Sequence, residues 1–322
     1  MKAYEILDIS EYYERQFSRY KPNKAVHYCN TDTFYKIVEP YINDESLPRS
    51  SGGKTYKAKC IRFFASDMLF LNDQEERRIG KTLVNRVVSS EGGIEVAETE
   101  EEMFIACFCN DTDNLTQWKH YGKDCGLAVE FDMKDVVMNY CETCCCGKDV
   151  VKYPKRHDLA FAPYNVFYCN PSEDKFTFNK ERLLSMLPSE AKLTSIAKKT
   201  AELSVIPYIK HDAFRDEKES RIILYHSQSD NGVCSLTKYR SGSVFKPYLE
   251  MRLFYDSTKA EKKIPIKSVT IGPASNQDLV FRSVYHILER NSMLMNRDVS
   301  KLNSITTSEG IKIIKSKIPF RS

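Results

Sequence analysis

The longest uninterrupted apolar run in this chain of 322 residues is MFIACFC, Met103 to Cys109. A run of that length is typical of a buried strand and is far shorter than the roughly 20 residues of a membrane-spanning helix. The opening MKAYEILDISEYYERQ has no basic region followed by an apolar stretch, so it does not resemble a secretory signal. We therefore expect a cytoplasmic protein with no membrane partner.

The strand-like and helical segments do not alternate regularly. KAVHYC, 24–29, predicts a buried strand, and a helix capped by Asn30 or Thr31 follows it with apolar residues at helical spacing. Asn114 is predicted to cap a second helix, LTQWKHY, whereas the C-terminal half is rich in strand-like runs. This pattern favours an α+β fold over a doubly wound parallel sheet. We expect a single enlarged catalytic domain, 1–322, with an insertion at 141–215, where the pattern becomes irregular.

Several common motifs fail on their details. SSGGKT, Ser50 to Thr55, contains the end of a phosphate-binding loop, but Pro48 stands where the first glycine is needed, so we predict a flexible loop.

DEKESR contains Asp216-x-Lys218, which is typical of metal-dependent nucleases. A second aspartate is the weak point of such a site, because Asp212 is near in sequence but lies on no obvious strand. A nuclease is therefore kept as the alternative function.

The cysteines favour reduced thiols over disulfides. There are eleven, an odd count, in a long chain without an export signal. Four of them have the spacing of half a zinc site, with His157 not far beyond: Cys141, Cys144, Cys145 and Cys146. A second ligand pair at matched spacing is absent from the sequence, so we favour a loop of free thiols over zinc and predict no metal site.

Four segments and a closing stretch follow one pattern along the chain: HYCNTDTFYKIVE, ASDMLFLNDQEE, CFCNDTDNLTQWKHYGKDCGLAVEFD, DAFRDEKESRIILY, and VTIGPASNQ with SKIPFR. From Val26 to Arg321 they resemble a bacterial domain-of-unknown-function family with the pattern HYTS, LND, QWxxYG, ExR, IGP and IPYR. The chain departs from that pattern at Cys29 and Asn30, which replace Thr and Ser, and at Phe320, which replaces Tyr. A hydroxyl is therefore lost near the first strand.

That family is in turn similar to the ADP-ribosyltransferase superfamily. The similarity implies a split β-sheet core with His27 and Tyr28 on its first strand and Glu217-x-Glu219 as the acidic pair of a late strand. It implies NAD as the substrate from which ADP-ribose is transferred. It also implies a bacterial toxin, toxin–antitoxin or phage-defence effector, with an antitoxin or regulatory protein as an expected partner.

The chemistry of NAD cleavage requires a group, such as a carboxylate, that stabilises positive charge on the ribose. Nicotinamide leaves as a neutral ring, so the barrier lies in forming an oxocarbenium-like ribose. We expect Glu219 to bind the ribose 2′-hydroxyl and stabilise that cation, and Glu217 to orient the acceptor or take its proton. His27 is expected to donate a ring N–H to a ribose hydroxyl or to the pyrophosphate. Alternatively, His27 is a core histidine whose hydrogen bonds are made within the protein.

Further residues are candidates for cofactor binding. Trp118 and Tyr121, one helical turn apart, are expected to stack on nicotinamide or a base, or else to be core aromatics. Asn72 is a candidate NAD contact or a helix N-cap. Arg221 is predicted either to hold a phosphate or to pair with Glu219.

The acceptor is left open by the sequence. A net charge of +4 and a pI near 8.3 permit a nucleic-acid partner without requiring one. Basic residues near the C-terminus, Lys315, Lys317 and Arg321, are the predicted RNA or DNA contacts. A protein acceptor is the alternative, and a non-catalytic binding module is a third class of function.

Overall fold

The computed structural model describes residues 21–51, 54–70, 78–82, 85, 102–121, 125–140, 159–169, 206–226, 238–240, 244–257 and 261–319. The strands within these ranges are β1 (Ala25–Cys29), β2 (Ser46–Ser51), β3 (Lys54–Lys59), β4 (Ile61–Asp67), β5 (Glu102–Cys109), β6 (Leu127–Phe131), β7 (Val136–Tyr140), β8 (Leu159–Ala160), β9 (Tyr164–Asn165), β10 (Phe167–Cys169), β11 (Ile209–His211), β12 (Glu219–His226), β13 (Lys238–Arg240), β14 (Lys246–Tyr255), β15 (Ile266–Ile271), β16 (Ser304–Thr306) and β17 (Lys312–Lys315). The α-helices are α1 (Thr31–Ile42), α2 (Leu115–Tyr121), α3 (Gln277–Leu288) and α4 (Ser292–Met295), and 3₁₀ turns cover Met68–Phe70, Ile206–Tyr208 and Asp212–Glu217.

The chain divides into two compact units. The first takes Met1–Pro22, Phe64–Cys107 and Ala162–Leu249, and the second takes Asn23–Phe63, Phe108–Phe161 and Glu250–Ser322. Each unit is described below from its own described residues. The predicted insertion at 141–215 lies partly outside them and stays a prediction.

The second unit is built on a mixed sheet. β6 lies between β1 and β15 and is antiparallel to both, with Ala25 opposite Phe131 and Cys29 opposite Leu127. β17 pairs with β15 in parallel, and β16 is antiparallel to β17. Because strand side chains alternate between faces, neighbouring residues of β1 point to opposite sides of this sheet.

Helix α1 begins where the sequence predicts. The Asn30 side chain accepts a hydrogen bond from the Thr33 backbone N–H at 2.8 Å, which satisfies one donor of the first turn. The apolar stripe is buried as its spacing requires, and it consists of Phe34, Ile37, Val38 and Tyr41. The strand and the cap predicted for this stretch are both confirmed.

The first unit places short strands around β12. β12 pairs with β5 and, antiparallel, with β9, where Arg221 lies opposite Tyr164. β10 and β11 pair in parallel, with Tyr168 opposite Lys210. β13 and the first residues of β14 form an antiparallel hairpin.

The segment around Ser50–Thr55 is a hairpin, so the prediction of a flexible loop is wrong. β2 and β3 pair in antiparallel register from Ser46 opposite Lys59 to Ser51 opposite Lys54. In the sequence, Gly52-Gly53 lies between the two strands, and two glycines between strand-like runs are a hairpin signal. The fold class itself is confirmed as a mixed one, with a large mixed sheet and few helices. Among the described residues, no helix has the length and apolar character needed to cross a bilayer.

Candidate active site

Lys210 joins the two carboxylates of the predicted acidic pair. Its Nζ lies 2.7 Å from Glu217 Oε2 and 2.8 Å from Glu219 Oε2. Glu217 ends the 3₁₀ turn and Glu219 begins β12, while Lys218 between them has a left-handed backbone with φ of 48°. Because non-glycine residues seldom adopt that conformation, the turn is a specific feature that lets both acids reach one ammonium.

Arg221 completes the cluster from the same strand. Its Nε donates to Glu219 Oε1 at 2.6 Å and its Nη2 to Glu219 Oε2 at 3.1 Å. Its Nη1 donates to the Pro207 carbonyl at 2.7 Å. The side chains of Arg221 and Glu219 are only 1% and 5% exposed, so this is a buried ion pair with nearly complete hydrogen bonding. The sequence left two roles for Arg221, a phosphate contact or an ion pair with Glu219, and the structure shows the ion pair.

Glu219 is ionised despite its burial. Burial alone would raise the pKa of its carboxyl, but the charges of Arg221 and Lys210, with hydrogen bonds from Arg221 and the Cys107 thiol, lower the pKa to about 2. A carboxylate has about four lone-pair sites. Those sites face donors from Arg221, Lys210 and Cys107 within the protein.

Glu217 differs from Glu219 in its access to solvent. Its side chain is 19% exposed, against 5% for Glu219. The Phe214 ring lies beside the same ammonium, with Lys210 Nζ 5.0 Å from the ring centroid, and Phe214 is itself exposed. The Tyr168 hydroxyl accepts the Glu219 backbone N–H at 2.7 Å, which fixes the start of β12 from the other side. Glu217 is therefore the more solvent-accessible acid of the pair.

The Asp-x-Lys motif of the alternative function does not lie on a strand. Asp216 belongs to the 3₁₀ turn and Lys218 follows it, and both residues are exposed. Asp212, the nearby aspartate considered as the second ligand, accepts a hydrogen bond from Arg215 Nε at 2.7 Å. Within the described part of the chain, no group of three or more His, Cys, Asp and Glu side chains is placed to hold a metal ion.

His27 and Tyr28 lie in the second unit and face opposite sides of β1. The half-buried His27 ring lies edge-on to Phe108 at 6.4 Å between centroids. Tyr28 is buried on the other face, where its hydroxyl donates to the Asp111 carbonyl at 2.9 Å and accepts the Asn114 backbone N–H at 2.8 Å. The structure therefore does not bring these two predicted NAD contacts together.

Trp118 is part of the core of the second unit. It is 4% exposed, lies 4.6 Å from the Tyr28 ring between centroids, and donates from Nε1 to Asp113 at 2.8 Å. A Cβ at Gly272 would lie 3.0 Å from the Trp118 ring, so backbone covers part of that ring as well. Tyr121, by contrast, is 44% exposed. The two rings do not form the predicted exposed stacking pair, and the core alternative describes Trp118.

The basic C-terminal stretch is only partly available for a ligand. Lys315 Nζ lies 2.5 Å from Asp278 and 2.5 Å from the Ser300 carbonyl, and its side chain is 9% exposed. Lys317 is exposed, and its backbone N–H donates to Asp113 at 3.0 Å. Several predicted site residues lie outside the described residues: Asn72, Arg321, His157 and the cysteines Cys141, Cys144, Cys145 and Cys146.

Sequence reasoning missed two members of the cluster, Lys210 and Cys107. Lys210 had a detectable signal, because it is a single lysine in the otherwise apolar run VIPYIK and is 6% exposed. Lysines are rarely buried without a counter-charge, so a nearby acidic partner is expected on physical grounds. Cys107 had no such signal, since it lies in an apolar strand.

A family model described as a protein of unknown function, DUF2971, matches residues 117–222. The chain is similar to that family. The matched range contains Lys210, Glu217, Glu219 and Arg221, so it includes most of the cluster, and it agrees with the resemblance to a domain of unknown function. No curated protein and no solved structure matches the chain.

Proposed function

We propose that this chain is an NAD-dependent ADP-ribosyltransferase in which Glu217 is the carboxylate that contacts the substrate. The observation that supports the proposal is the pair of acids at the start of β12 that share the Lys210 ammonium, with Glu217 the more exposed. The similarity to the ADP-ribosyltransferase superfamily, which itself places an acidic pair on a late strand, supports the same conclusion.

The reaction breaks the bond between ribose C1′ and the nicotinamide nitrogen. The bonding electron pair leaves with nicotinamide, which departs as a neutral ring, and a lone pair of the acceptor forms the new bond to C1′. The acceptor's proton passes to a carboxylate or to water. A carboxylate hydrogen-bonded to the ribose 2′-hydroxyl stabilises the developing positive charge, which contributes several kcal/mol in analogous glycosyl chemistry.

The contacts of the two acids support a different division of roles from the one expected from the sequence. Glu219 would have to release an internal donor before it accepted a ribose hydroxyl, because Arg221, Lys210 and Cys107 already bind it. We therefore assign Glu219 as a positioning residue that holds Lys210, and through it Glu217. The sequence-based assignment of Glu219 as the ribose ligand stays a prediction, and so does the role of His27.

A second function is supported by the burial of the same cluster. Glu219 makes nearly all its hydrogen bonds inside the protein, with Lys210 and Arg221 among its partners. A purely structural link between β11 and β12 would have the same contacts. In a non-catalytic binding module, these residues stabilise the first unit and no NAD is cleaved.

Labelled NAD separates these functions. The purified protein is incubated with NAD labelled in nicotinamide and in the adenylate, alone and with RNA, DNA or bacterial lysate. A transferase releases nicotinamide and attaches the adenylate label to an acceptor, a hydrolase releases both labels, and a binding module releases neither. Asp216→Asn is the matched control for Glu217→Gln, because it removes a neighbouring exposed acid that the nuclease alternative requires.

A further inference from the structure

The hairpin of β13 and β14 in the first unit has a basic and aromatic surface. Its sequence KYRSGSVFKPY, 238–248, contains three basic residues and no acidic one. In the antiparallel register, Lys238 lies opposite Tyr248 and Arg240 lies opposite Lys246. These four residues share one face of the hairpin, because cross-strand partners and alternate residues point the same way.

The Arg240 guanidinium on this face lies near two aromatic rings. Its guanidinium carbon lies 4.9 Å from the Tyr248 centroid and 5.4 Å from the Phe64 centroid. The two rings pack edge to face at 5.9 Å. Arg240 itself is exposed, so a cation held near two rings is presented to solvent.

Two aromatic side chains of the hairpin are mostly exposed. Tyr239 is 65% exposed and Phe245 is 73% exposed, although aromatic rings gain the most from burial. Tyr239 lies opposite Pro247 and therefore on the face away from Arg240. The hairpin thus combines a basic face with exposed rings that include Tyr239 on the opposite face, and exposed apolar groups are typical of an interaction surface.

We infer that this hairpin binds single-stranded nucleic acid. Phosphates bind to cations, and the hairpin supplies Lys238 and Arg240, whereas the Lys246 ammonium donates to the Phe70 carbonyl at 3.3 Å. Unpaired bases stack on exposed rings, and the hairpin supplies Tyr239 and Phe245. A duplex keeps its bases inside the stack, so it would use only the cations. The inference is independent of the transferase proposal, and it places the nucleic-acid surface on the hairpin rather than on Lys315, which is paired with Asp278.

The first test measures the contribution of the exposed rings. Binding of fluorescein-labelled single-stranded RNA and DNA of about 12 nucleotides, and of the matching duplex, is followed by fluorescence anisotropy. Wild-type protein is expected to prefer the single strands, and Tyr239→Ala/Phe245→Ala to bind them at least about tenfold more weakly. Replacement of both residues by Trp should keep the affinity, and Tyr35→Ala, a control at a 44% exposed tyrosine, should not change it.

The second test measures how much the hairpin cations contribute to nucleic-acid binding. Lys238→Glu/Arg240→Glu should lower the slope of log affinity against log salt by about 0.7 for each phosphate that the variant no longer neutralises. Lys57→Glu/Lys134→Glu, which reverses two exposed lysines of the second unit, is the control and should leave the slope unchanged. The inference is overturned if wild type binds no single strand at low salt, if the duplex binds equally well, if the alanine pair binds like wild type, or if the control reversal weakens binding as much as the hairpin reversal.

Discussion

Arg221 Nε lies 2.6 Å from Glu219 Oε1, and both residues are buried on one face of β12. The two-residue period of a strand sets this contact, because residues i and i+2 point the same way. Lys210 reaches the same carboxylate from β11 and extends the network to Glu217. The position of Glu217, the more exposed of the two acids, therefore depends on the buried pair of Glu219 and Arg221.

Removal of the Arg221 charge should destabilise the protein strongly. Arg221→Met leaves Glu219 buried with only Lys210 as a cationic partner, and breaking one partner of a buried ion pair costs about 3–5 kcal/mol. The free energy of unfolding is measured by urea denaturation. Glu219→Leu/Arg221→Met should recover much of the loss because no buried charge is then left unbalanced.

The control for this prediction is Lys36→Met, which breaks the exposed pair of Lys36 with Asp32. Exposed pairs contribute at most about 1 kcal/mol. A loss for Arg221→Met no larger than that for Lys36→Met would contradict the account of the buried pair.

Stability should fall in acid through Glu219. The folded pKa of this carboxyl is about 2, below the ordinary value of about 4.3 that it has when unfolded. Because the folded pKa is the lower one, the ionised carboxylate stabilises the folded protein fully at any pH above the unfolded pKa. This contribution to the free energy of unfolding, about 3 kcal/mol in total, is lost as pH falls from about 5 toward 2. Urea denaturation between pH 7 and pH 2.5 should show a steeper decline for wild type than for Glu219→Gln. Parallel curves for the two proteins would refute this linkage.

Local signals were sufficient for much of the fold. The strand at 24–29, the Asn30 cap and the Asn114 cap each depend on residues within a few positions of one another, and the structure has all three. The Asn114 side chain accepts the Thr116 backbone N–H at 2.9 Å, as the cap predicts. The Ser50–Thr55 hairpin was not predicted, although Gly52-Gly53 is a local turn signal, because the flanking residues are polar and lack the apolar alternation of a typical strand.

The candidate site depends on contacts that local patterns do not contain. Helical spacing predicts that Trp118 and Tyr121 share a side of α2, but it does not predict that Tyr28 covers Trp118. The acidic pair was found from its motif, whereas its link through Lys210 depends on where β11 lies. Strand alternation does predict that His27 and Tyr28 face opposite ways, so this separation could have been read from the sequence.

NAD cleavage should need no divalent metal. Nicotinamide is cationic in NAD and departs as a neutral ring, so no negative charge develops on the leaving group for a Lewis acid to stabilise, whereas the nuclease alternative uses a metal ion to activate water. Nicotinamide release is measured with and without EDTA and should be unchanged. Loss of activity in EDTA that magnesium restores, together with cut nucleic acid, would favour the nuclease. Restoration by zinc alone would indicate a structural metal at Cys141 to Cys146.

The most direct test of the central claim is the rate of nicotinamide release from labelled NAD by wild type, Glu217→Gln and Asp216→Asn. Wild type and Asp216→Asn should cleave NAD at similar rates, and Glu217→Gln should be at least about a hundredfold slower, because a neutral amide stabilises the oxocarbenium-like ribose far less. Glu217→Gln should keep the unfolding free energy of wild type within about 1 kcal/mol, since its side chain is partly exposed. Wild-type turnover in a folded Glu217→Gln protein would contradict the assignment of Glu217, and no nicotinamide release by wild type with any acceptor would contradict the transferase itself.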